Sequence, residues 1–203
     1  QMKQIRQTRL LKTINKVSYF QHDGSDLIML TTVDDQRVAE VEFYEFDLST
    51  EDIWLVQAFK LPNIPESMVC LDAGRHFLIA FTQDSHVAIF RHQHTKFERG
   101  KFAFMKNINA ANVSIISGFR IGGQTYLAIG GDQLQIYCYV NGQLQPRSIV
   151  SQTFGHVKIF LPIPIKIYRD DLVLLVQHRI VLPTHSLVAV DALIWNGIAF
   201  ESA

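Results

Sequence analysis

The sequence lacks an excess of charge of either sign, with 19 Lys and Arg against 19 Asp and Glu in 203 residues. Proteins that coat nucleic acid or anionic membranes need clustered Lys and Arg. The nearest approach to a basic patch is the N-terminal set Lys3, Arg6, Arg9 and Lys12, which we interpret as a solvated face of one element. We therefore expect no nucleic-acid partner.

Long apolar runs are also missing. A helix that spans a bilayer needs roughly 20 apolar residues, whereas the longest run here, Ile159 to Ile167, contains Pro162, Pro164 and Lys166. We expect no membrane insertion. The chain has no charged segment followed by an apolar segment at its start, and it begins with Gln, which we interpret as a mature product or a piece of a longer protein.

Cysteine is scarce, and Cys70 and Cys138 permit at most one internal disulfide. Since cysteine is common as a small buried hydrophobe, two reduced core thiols are the simpler interpretation. The sequence leaves both states open and gives no information on the compartment.

Strand signals dominate what is present. The 14 Phe and 6 Tyr fall with Val and Ile in short runs separated by turn residues. The segment Gln4 to Ile14 is compatible with an amphipathic helix or with a strand, and periodicity alone does not decide between them.

An internal repeat organises these strands. Four segments each contain an apolar strand, a short polar turn and a nearly continuous apolar strand. The equivalent positions Leu27, Phe77, Tyr126 and Leu172 are separated by 50, 49 and 46 residues. In each unit a third, alternating strand and a more polar fourth strand follow, the third strands of the first and third units being Val41 to Phe46 and Leu134 to Tyr139.

The gradient from apolar to polar strands indicates small sheets arranged radially, because strands buried on both faces are continuously apolar. The sequence therefore predicts an all-β protein, a β-propeller of four-stranded antiparallel blades. Four blades are visible, at about 15–61, 64–107, 110–153 and 156–203. Residues 1–12 are expected to form the outer strand of a preceding blade or of a closing one.

One unit resembles a known family. The segment from Val113 to Gly130, followed by Gln135 to Gly142, is similar to an epitempin-type (EPTP or EAR) repeat, and Leu193 to Phe200 matches the end of that repeat. The resemblance implies a secreted or cell-surface protein that binds other proteins through a propeller. Since those propellers have seven blades, it also implies that four blades are part of a larger ring, the alternative being a four-bladed ring closed by the N-terminal segment.

Few residues suggest metal chemistry. His92 and His94 lie two apart on a strand or its exit, so both would face the same way. A structural zinc site needs four ligands, and no third ligand is spaced to join them. We expect no metal site and interpret these histidines as surface residues.

The remaining polar motifs are those of turns. Asp34-Asp35 and Asp170-Asp171 are carboxylate pairs next to apolar strands, where Asp commonly forms turns. Gly122-Gly123 and Gly130 to Asp132 are rich in glycine but do not precede a helix, which a phosphate-binding loop requires. The sequence thus predicts no catalytic residue, no cofactor and no enzyme.

Asn112-Val113-Ser114 is a glycosylation sequon just before a predicted strand. It makes Asn112 a candidate glycosylation site and favours an extracellular or cell-surface location, with the cytoplasm as the alternative.

These observations predict a non-catalytic protein-interaction module that binds a partner protein through loops on one face. The candidate loops are the longest ones, 32–40, 60–67 and 177–186. The expected partner is another protein. The options include the remaining propeller blades and a second copy of the chain. An intracellular scaffold and an enzyme with a site in the propeller channel are the alternatives.

Overall fold

A computed structural model of the chain describes residues 12–22, 24–47, 49–95, 98–150, 157–166, 170–181, 183–195 and 200–202. Within these ranges all of the regular secondary structure is β-strand. The sixteen strands follow each other in four groups of four: β1 Thr13–His22, β2 Ser25–Val33, β3 Ala39–Asp47 and β4 Asp52–Leu61; β5 Met68–Asp72, β6 Phe77–Gln83, β7 His86–Thr95 and β8 Glu98–Asn109; β9 Ile115–Ile121, β10 Gln124–Gly130, β11 Leu134–Val140 and β12 Gln143–Val150; β13 Val157–Lys166, β14 Asp170–Val181, β15 Ser186–Trp195 and β16 Phe200–Ser202.

Each group forms one sheet in which the strands lie in chain order. Neighbouring strands are antiparallel wherever the register is defined, as in the β2–β3 pair that places Leu30 opposite Glu42. Such a sheet is the blade of a propeller. The prediction of an all-β protein built from four-stranded antiparallel β-propeller blades is confirmed.

The chain divides into two compact units. The first consists of residues 1–64 with 92–102, and the second of residues 65–91 with 103–203. The core of the first unit is aromatic: the rings of Phe43 and Phe102 stack with centroids 4.5 Å apart, and Phe59 lies 5.8 Å from Phe43. Aromatic pairs of this kind add to the free energy of area burial.

The second unit shows the burial gradient expected from the sequence. Every residue of β6 is buried, because this inner strand is covered on both faces. The facing strands β5 and β9 pack closely. Gly118 makes this approach feasible, since a Cβ atom there would lie 2.1 Å from Cδ2 of Leu71.

Tight turns connect the strands. Asn141 and Gly142 join β11 to β12 with φ values of 51° and 80°, the left-handed conformation that an Asn-Gly hairpin requires. The second Asn-Gly pair, Asn196-Gly197, lies outside the described residues, as do residues 1–11 of the predicted outer strand.

Two of the three loops predicted to form a binding face, 32–40 and 177–186, are shorter than expected. Strand β2 extends to Val33 and β3 begins at Ala39, while β14 reaches Val181 and β15 begins at Ser186. Much of the segment 177–186 is therefore hairpin strand, because its main chain continues the β14–β15 ladder.

Candidate functional site

The first sheet carries acidic side chains on one face of its third strand. Because side chains alternate along a strand, Glu40, Glu42 and Tyr44 of β3 share one face, while Val41 and Phe43 occupy the other and are buried. Glu42 is itself buried, with 6% of its surface exposed. We call the surface formed by Glu40, Glu42 and Tyr44 the carboxylate face. A buried carboxylate requires compensating partners.

Lys12 supplies one partner. Its ammonium forms ion pairs with both Glu40 and Glu42, and the Nζ to Oε1 distance to Glu42 is 2.8 Å. Two oxygens bound to one nitrogen at hydrogen-bond length lie at most about 6 Å apart. Of the four basic residues interpreted as a solvated face, Lys12 lies within the described residues, where its ammonium is paired with two carboxylates, and Lys3, Arg6 and Arg9 lie outside them.

Tyr44 supplies the other partner. Its hydroxyl donates a hydrogen bond of 2.7 Å to Oε2 of Glu42. Burial, followed by this hydrogen bond, raises the pKa of Tyr44 to about 12. The pKa of Lys12 is also raised, chiefly by its hydrogen bond to Glu40 and then by that to Glu42. Both donors consequently keep their protons at neutral pH and hold Glu42 in one orientation.

Apolar side chains flank the cluster. Residues paired directly across neighbouring strands share a face of the sheet, and the register joins Tyr19 to Ile28, Ile28 to Tyr44 and Tyr44 to Leu55. Tyr19 is 62% exposed and Leu55 is 53% exposed. An exposed apolar patch beside polar groups is a feature of ligand-binding surfaces.

The chemistry available on this face is that of a carboxylate pair. Two carboxyl groups a few ångströms apart can divide the tasks of nucleophile and general acid in glycoside cleavage. The tyrosine and the ammonium can orient one of them. No group of three or more His, Cys, Asp or Glu residues within the described ranges could hold a metal ion.

The histidines expected to lie at the surface have a different arrangement. The ring of His92 faces His22, with centroids 4.7 Å apart, and packs on Phe102 at 5.0 Å. His92 is therefore part of an aromatic cluster within the first unit. The side chain of His94 lies outside the described residues.

The predicted turn residues serve as turn residues. The carboxylate of Asp34 accepts hydrogen bonds from the main-chain N–H groups of Gln36 and Val38 at 2.9 and 2.8 Å. A Cβ atom on Gly131 would lie 2.4 Å from the carbonyl oxygen of Ala111, so the glycine permits a close main-chain approach. The side chains of Asp170 and Asp171 lie outside the described residues.

Asn112 lies exposed in a turn, and its side-chain amide donates a hydrogen bond of 2.9 Å to Asp132. Cys70 is half-buried and Cys138 is buried, and neither forms a disulfide.

Sequence reasoning missed Glu40 and Glu42 because it treated β3 as a strand with a wet face. The alternation of Glu40, Glu42 and Tyr44 was the available signal. Nothing in the sequence indicated that Lys12 would contact β3, since Lys12 is 28 residues from Glu40 and 30 residues from Glu42.

Comparison with known proteins relates the fold to solved enzyme structures. The chain is similar to an exo-β-1,3-galactanase from Phanerochaete chrysosporium in complex with β-1,3-galactotriose, with a TM-score of 0.51 and 10% identity over 95% of this chain. It spans 49% of that enzyme's length. An α-L-arabinofuranosidase from Fusarium graminearum aligns with a TM-score of 0.48 and 8% identity over 94% of this chain and 65% of the enzyme.

No family model and no curated protein matches the chain. The resemblance to epitempin-type repeats consequently stays a prediction. Among the residues that the structure describes, no helix reaches the length and apolarity that crossing a bilayer would require.

The comparisons correct the functional prediction. The expectation of a non-catalytic interaction module, and with it the expectation that the chain is not an enzyme, is contradicted by the likeness to the exo-β-1,3-galactanase. The sequence argument treated Glu40 and Glu42 as the wet face of a strand, and the ammonium of Lys12 that pairs with both of them reaches β3 only on folding.

Proposed function

We propose that this propeller belongs to a carbohydrate-cleaving enzyme and that Glu40 and Glu42 are its carboxylate pair. The observation that carries the proposal is the ammonium of Lys12 that the two carboxylates share on one face of the sheet. The likeness to an exo-β-1,3-galactanase supports a glycoside as the substrate class. The exposed ring of Tyr19 on the same face offers a sugar ring an apolar contact.

The separation of the two carboxylates favours retention of configuration. Retaining glycosidases hold their carboxyl groups about 5–5.5 Å apart, while inverting enzymes leave about 6.5–9.5 Å for a water molecule. The upper limit of about 6 Å set by the common hydrogen-bonded nitrogen fits the first class.

The surroundings assign the roles. Glu42, which Tyr44 holds through Oε2, is the nucleophile: once Lys12 has moved aside, Oε1 attacks the anomeric carbon while the bond to the leaving oxygen breaks. Glu40 is the more exposed carboxyl, so after Lys12 has left it can take up a proton from water and pass that proton to the leaving oxygen. Water then cleaves the glycosyl–Glu42 ester and returns its proton to Glu40.

Lys12 occupies the space between the carboxylates in the absence of a sugar. Its side chain is 34% exposed, and its four-carbon stem lets the ammonium move toward solvent. Substrate entry would require that displacement. The ammonium therefore offsets one of the two negative charges of the pair until a sugar ring enters.

The test measures hydrolysis of β-1,3-galactan oligosaccharides and of aryl galactosides and arabinofuranosides by the wild type, Glu42→Gln and Glu40→Gln. Both variants should lose at least about 10³-fold in kcat, as expected for loss of an acid–base or nucleophilic group. Glu66→Gln, an exposed carboxyl in the second unit, is the matched control and should keep full activity. NMR of the first product should show a retained anomer.

Two results would count against the proposal in different ways. An inactive wild type across the whole panel would refute the enzymatic function. An active wild type whose Glu42→Gln and Glu40→Gln variants keep their kcat would refute the assignment of the carboxylate pair.

We further propose that the protein acts outside the cell, in keeping with the exposed sequon at Asn112. Expression through a secretory pathway should give a product whose mobility shifts on endoglycosidase treatment. The shift should be absent in Ser114→Ala, and an unshifted wild type would count against a glycan at Asn112.

A further inference from the structure

A cavity of about 200 Å³ lies within the second unit, between β5, β9 and the start of β10. The carboxylate face belongs to the first unit. Polar groups and apolar groups share the wall of the cavity. The described residues that line it are Cys70, Leu71, Asp72, Gly118, Phe119, Arg120 and Thr125.

Asp72 and Arg120 face each other across the cavity mouth with unused hydrogen-bonding capacity. Nη1 of Arg120 lies 3.6 Å from Oδ2 of Asp72, which is an ion pair but is longer than a hydrogen bond. Their side chains are 60% and 52% exposed, so both reach solvent and an entering ligand. Among the described residues that line the cavity, these two carry the charges, and the charges cancel.

Hydrogen bonds fix the position of this pair. The main-chain N–H of Gly74 donates to Oδ1 of Asp72 at 2.9 Å, and the hydroxyl of Thr125 donates to the carbonyl oxygen of Asp72 at 2.6 Å. Arg120 also donates to the carbonyl oxygen of Gly123 at 3.4 Å. These hydrogen bonds hold the carboxylate at the end of β5 and the guanidinium near the end of β9, and Oδ2 of Asp72 points toward Arg120.

A neutral ligand with adjacent hydroxyl groups suits these contacts. One hydroxyl can donate to the Asp72 carboxylate while its neighbour accepts from the Arg120 guanidinium, and no net charge has to be buried. Leu71 and Phe119 form the apolar wall that the carbon skeleton of such a ligand would contact. Because pockets for drug-sized ligands begin at about 300 Å³, this cavity suits a single ring.

We propose that this cavity is a second saccharide site that binds one neutral monosaccharide unit through Asp72 and Arg120. The identification of the ligand as a sugar rests on the proposed glycosidase function. A site of this kind, on the second unit, would give a polymeric substrate an additional point of attachment and raise its local concentration.

Cys70 provides the readout, because its half-buried thiol lines the cavity while the buried Cys138 does not. The experiment follows alkylation of both thiols by iodoacetamide with mass spectrometry, at increasing concentrations of D-galactose. We expect galactose to slow the modification of Cys70 in a saturable way and to leave the rate at Cys138 unchanged.

The variants Asp72→Asn and Arg120→Gln should weaken this protection about tenfold or more, the effect of losing one hydrogen bond to a charged group. Asparagine keeps the turn-forming hydrogen bond to Gly74, so the fold is preserved. Arg75→Gln, an exposed arginine in the same β5–β6 turn, is the matched control and should bind as the wild type does.

The outcomes separate this proposal from the catalytic one. Glu42→Gln should lose hydrolysis and keep the protection of Cys70. Absence of protection in an active wild type would overturn the second site alone. Protection of Cys70 by glycine but not by galactose would overturn the sugar assignment in favour of a zwitterion. If galactose protects Cys70 in a protein that hydrolyses no glycoside, the sugar site in the cavity is supported and the enzymatic function is refuted.

Discussion

The side chain of Gln57 forms two hydrogen bonds with the main chain of Phe102. Nε2 of Gln57 donates to the carbonyl oxygen at 2.8 Å, and the Phe102 N–H donates to Oε1 at 2.7 Å. The two residues are 45 positions apart, so this amide ties the main chain of β8 to a distant side chain on β4. The same contact holds the Phe102 ring on the aromatic core beside Phe43.

Replacing Gln57 by Ala should lower the free energy of unfolding by about 1–3 kcal/mol, because a donor and an acceptor on the Phe102 main chain lose their partners. Urea denaturation monitored by tyrosine and tryptophan fluorescence measures the change. Gln145→Ala, an exposed glutamine on β12, is the control and should change stability by less than about 0.5 kcal/mol. Equal effects of the two substitutions would contradict the role of this contact.

Tyr44→Phe should remove a hydrogen bond that stabilises the folded protein at neutral pH and loses its contribution at alkaline pH. Since the pKa of Tyr44 is raised to about 12 in the folded protein, its contribution is complete below about pH 10. It is lost as the pH rises through about 12. The wild type should therefore exceed Tyr44→Phe by about 1 kcal/mol between pH 7 and 9, and the difference should shrink above pH 10.

Tyr139→Phe is the matched control for that experiment. The hydroxyl of Tyr139 is buried and, within the described part of the chain, has no hydrogen-bond partner. Its removal should leave stability unchanged or raise it, because a desolvated polar group disappears. A destabilisation equal to that of Tyr44→Phe would show that the hydroxyl of Tyr44 has no special role.

Lys12→Met should destabilise the first sheet by about 1–3 kcal/mol at neutral pH, since it leaves two adjacent carboxylates without their ammonium. In the wild type the raised pKa of Lys12 means that its contribution is complete below about pH 10.5 and is lost as the pH rises beyond the folded-state value.

The corresponding controls use urea denaturation at neutral pH. Lys16→Met removes an exposed ammonium from β1 and should have little effect. Adding Glu40→Gln to Lys12→Met should restore part of the stability. A Lys12→Met penalty that Glu40→Gln does not reduce would exclude electrostatic repulsion as its cause.

Gly118→Ala should destabilise the second unit by about 1–3 kcal/mol through overpacking, because the new methyl group would overlap Cδ2 of Leu71. Shortening the obstructing side chain should compensate. The double variant Gly118→Ala with Leu71→Ala is therefore expected to be more stable than the sum of the two single changes implies, which a double-mutant cycle in urea measures. Strict additivity would show that the two sites do not touch.

The sequence determined the architecture of this protein. The period near 48 residues, the continuously apolar second strands and the Asn141-Gly142 turn predict blades, because burial on both faces and left-handed turn geometry are local demands on residue type. Even the face shared by Glu40, Glu42 and Tyr44 follows from the period of a strand.

Only the tertiary structure decided which distant residues meet. Lys12 pairs with Glu40 and Glu42, which are 28 and 30 positions away. Gln57 bonds to Phe102, 45 positions away, and Asp72 pairs with Arg120, 48 positions away. Each depends on which strands become neighbours and on where a long side chain finds room. Strand periodicity fixes the side of a sheet on which a residue lies, whereas contacts between distant residues are fixed only when sheets pack and exclude water.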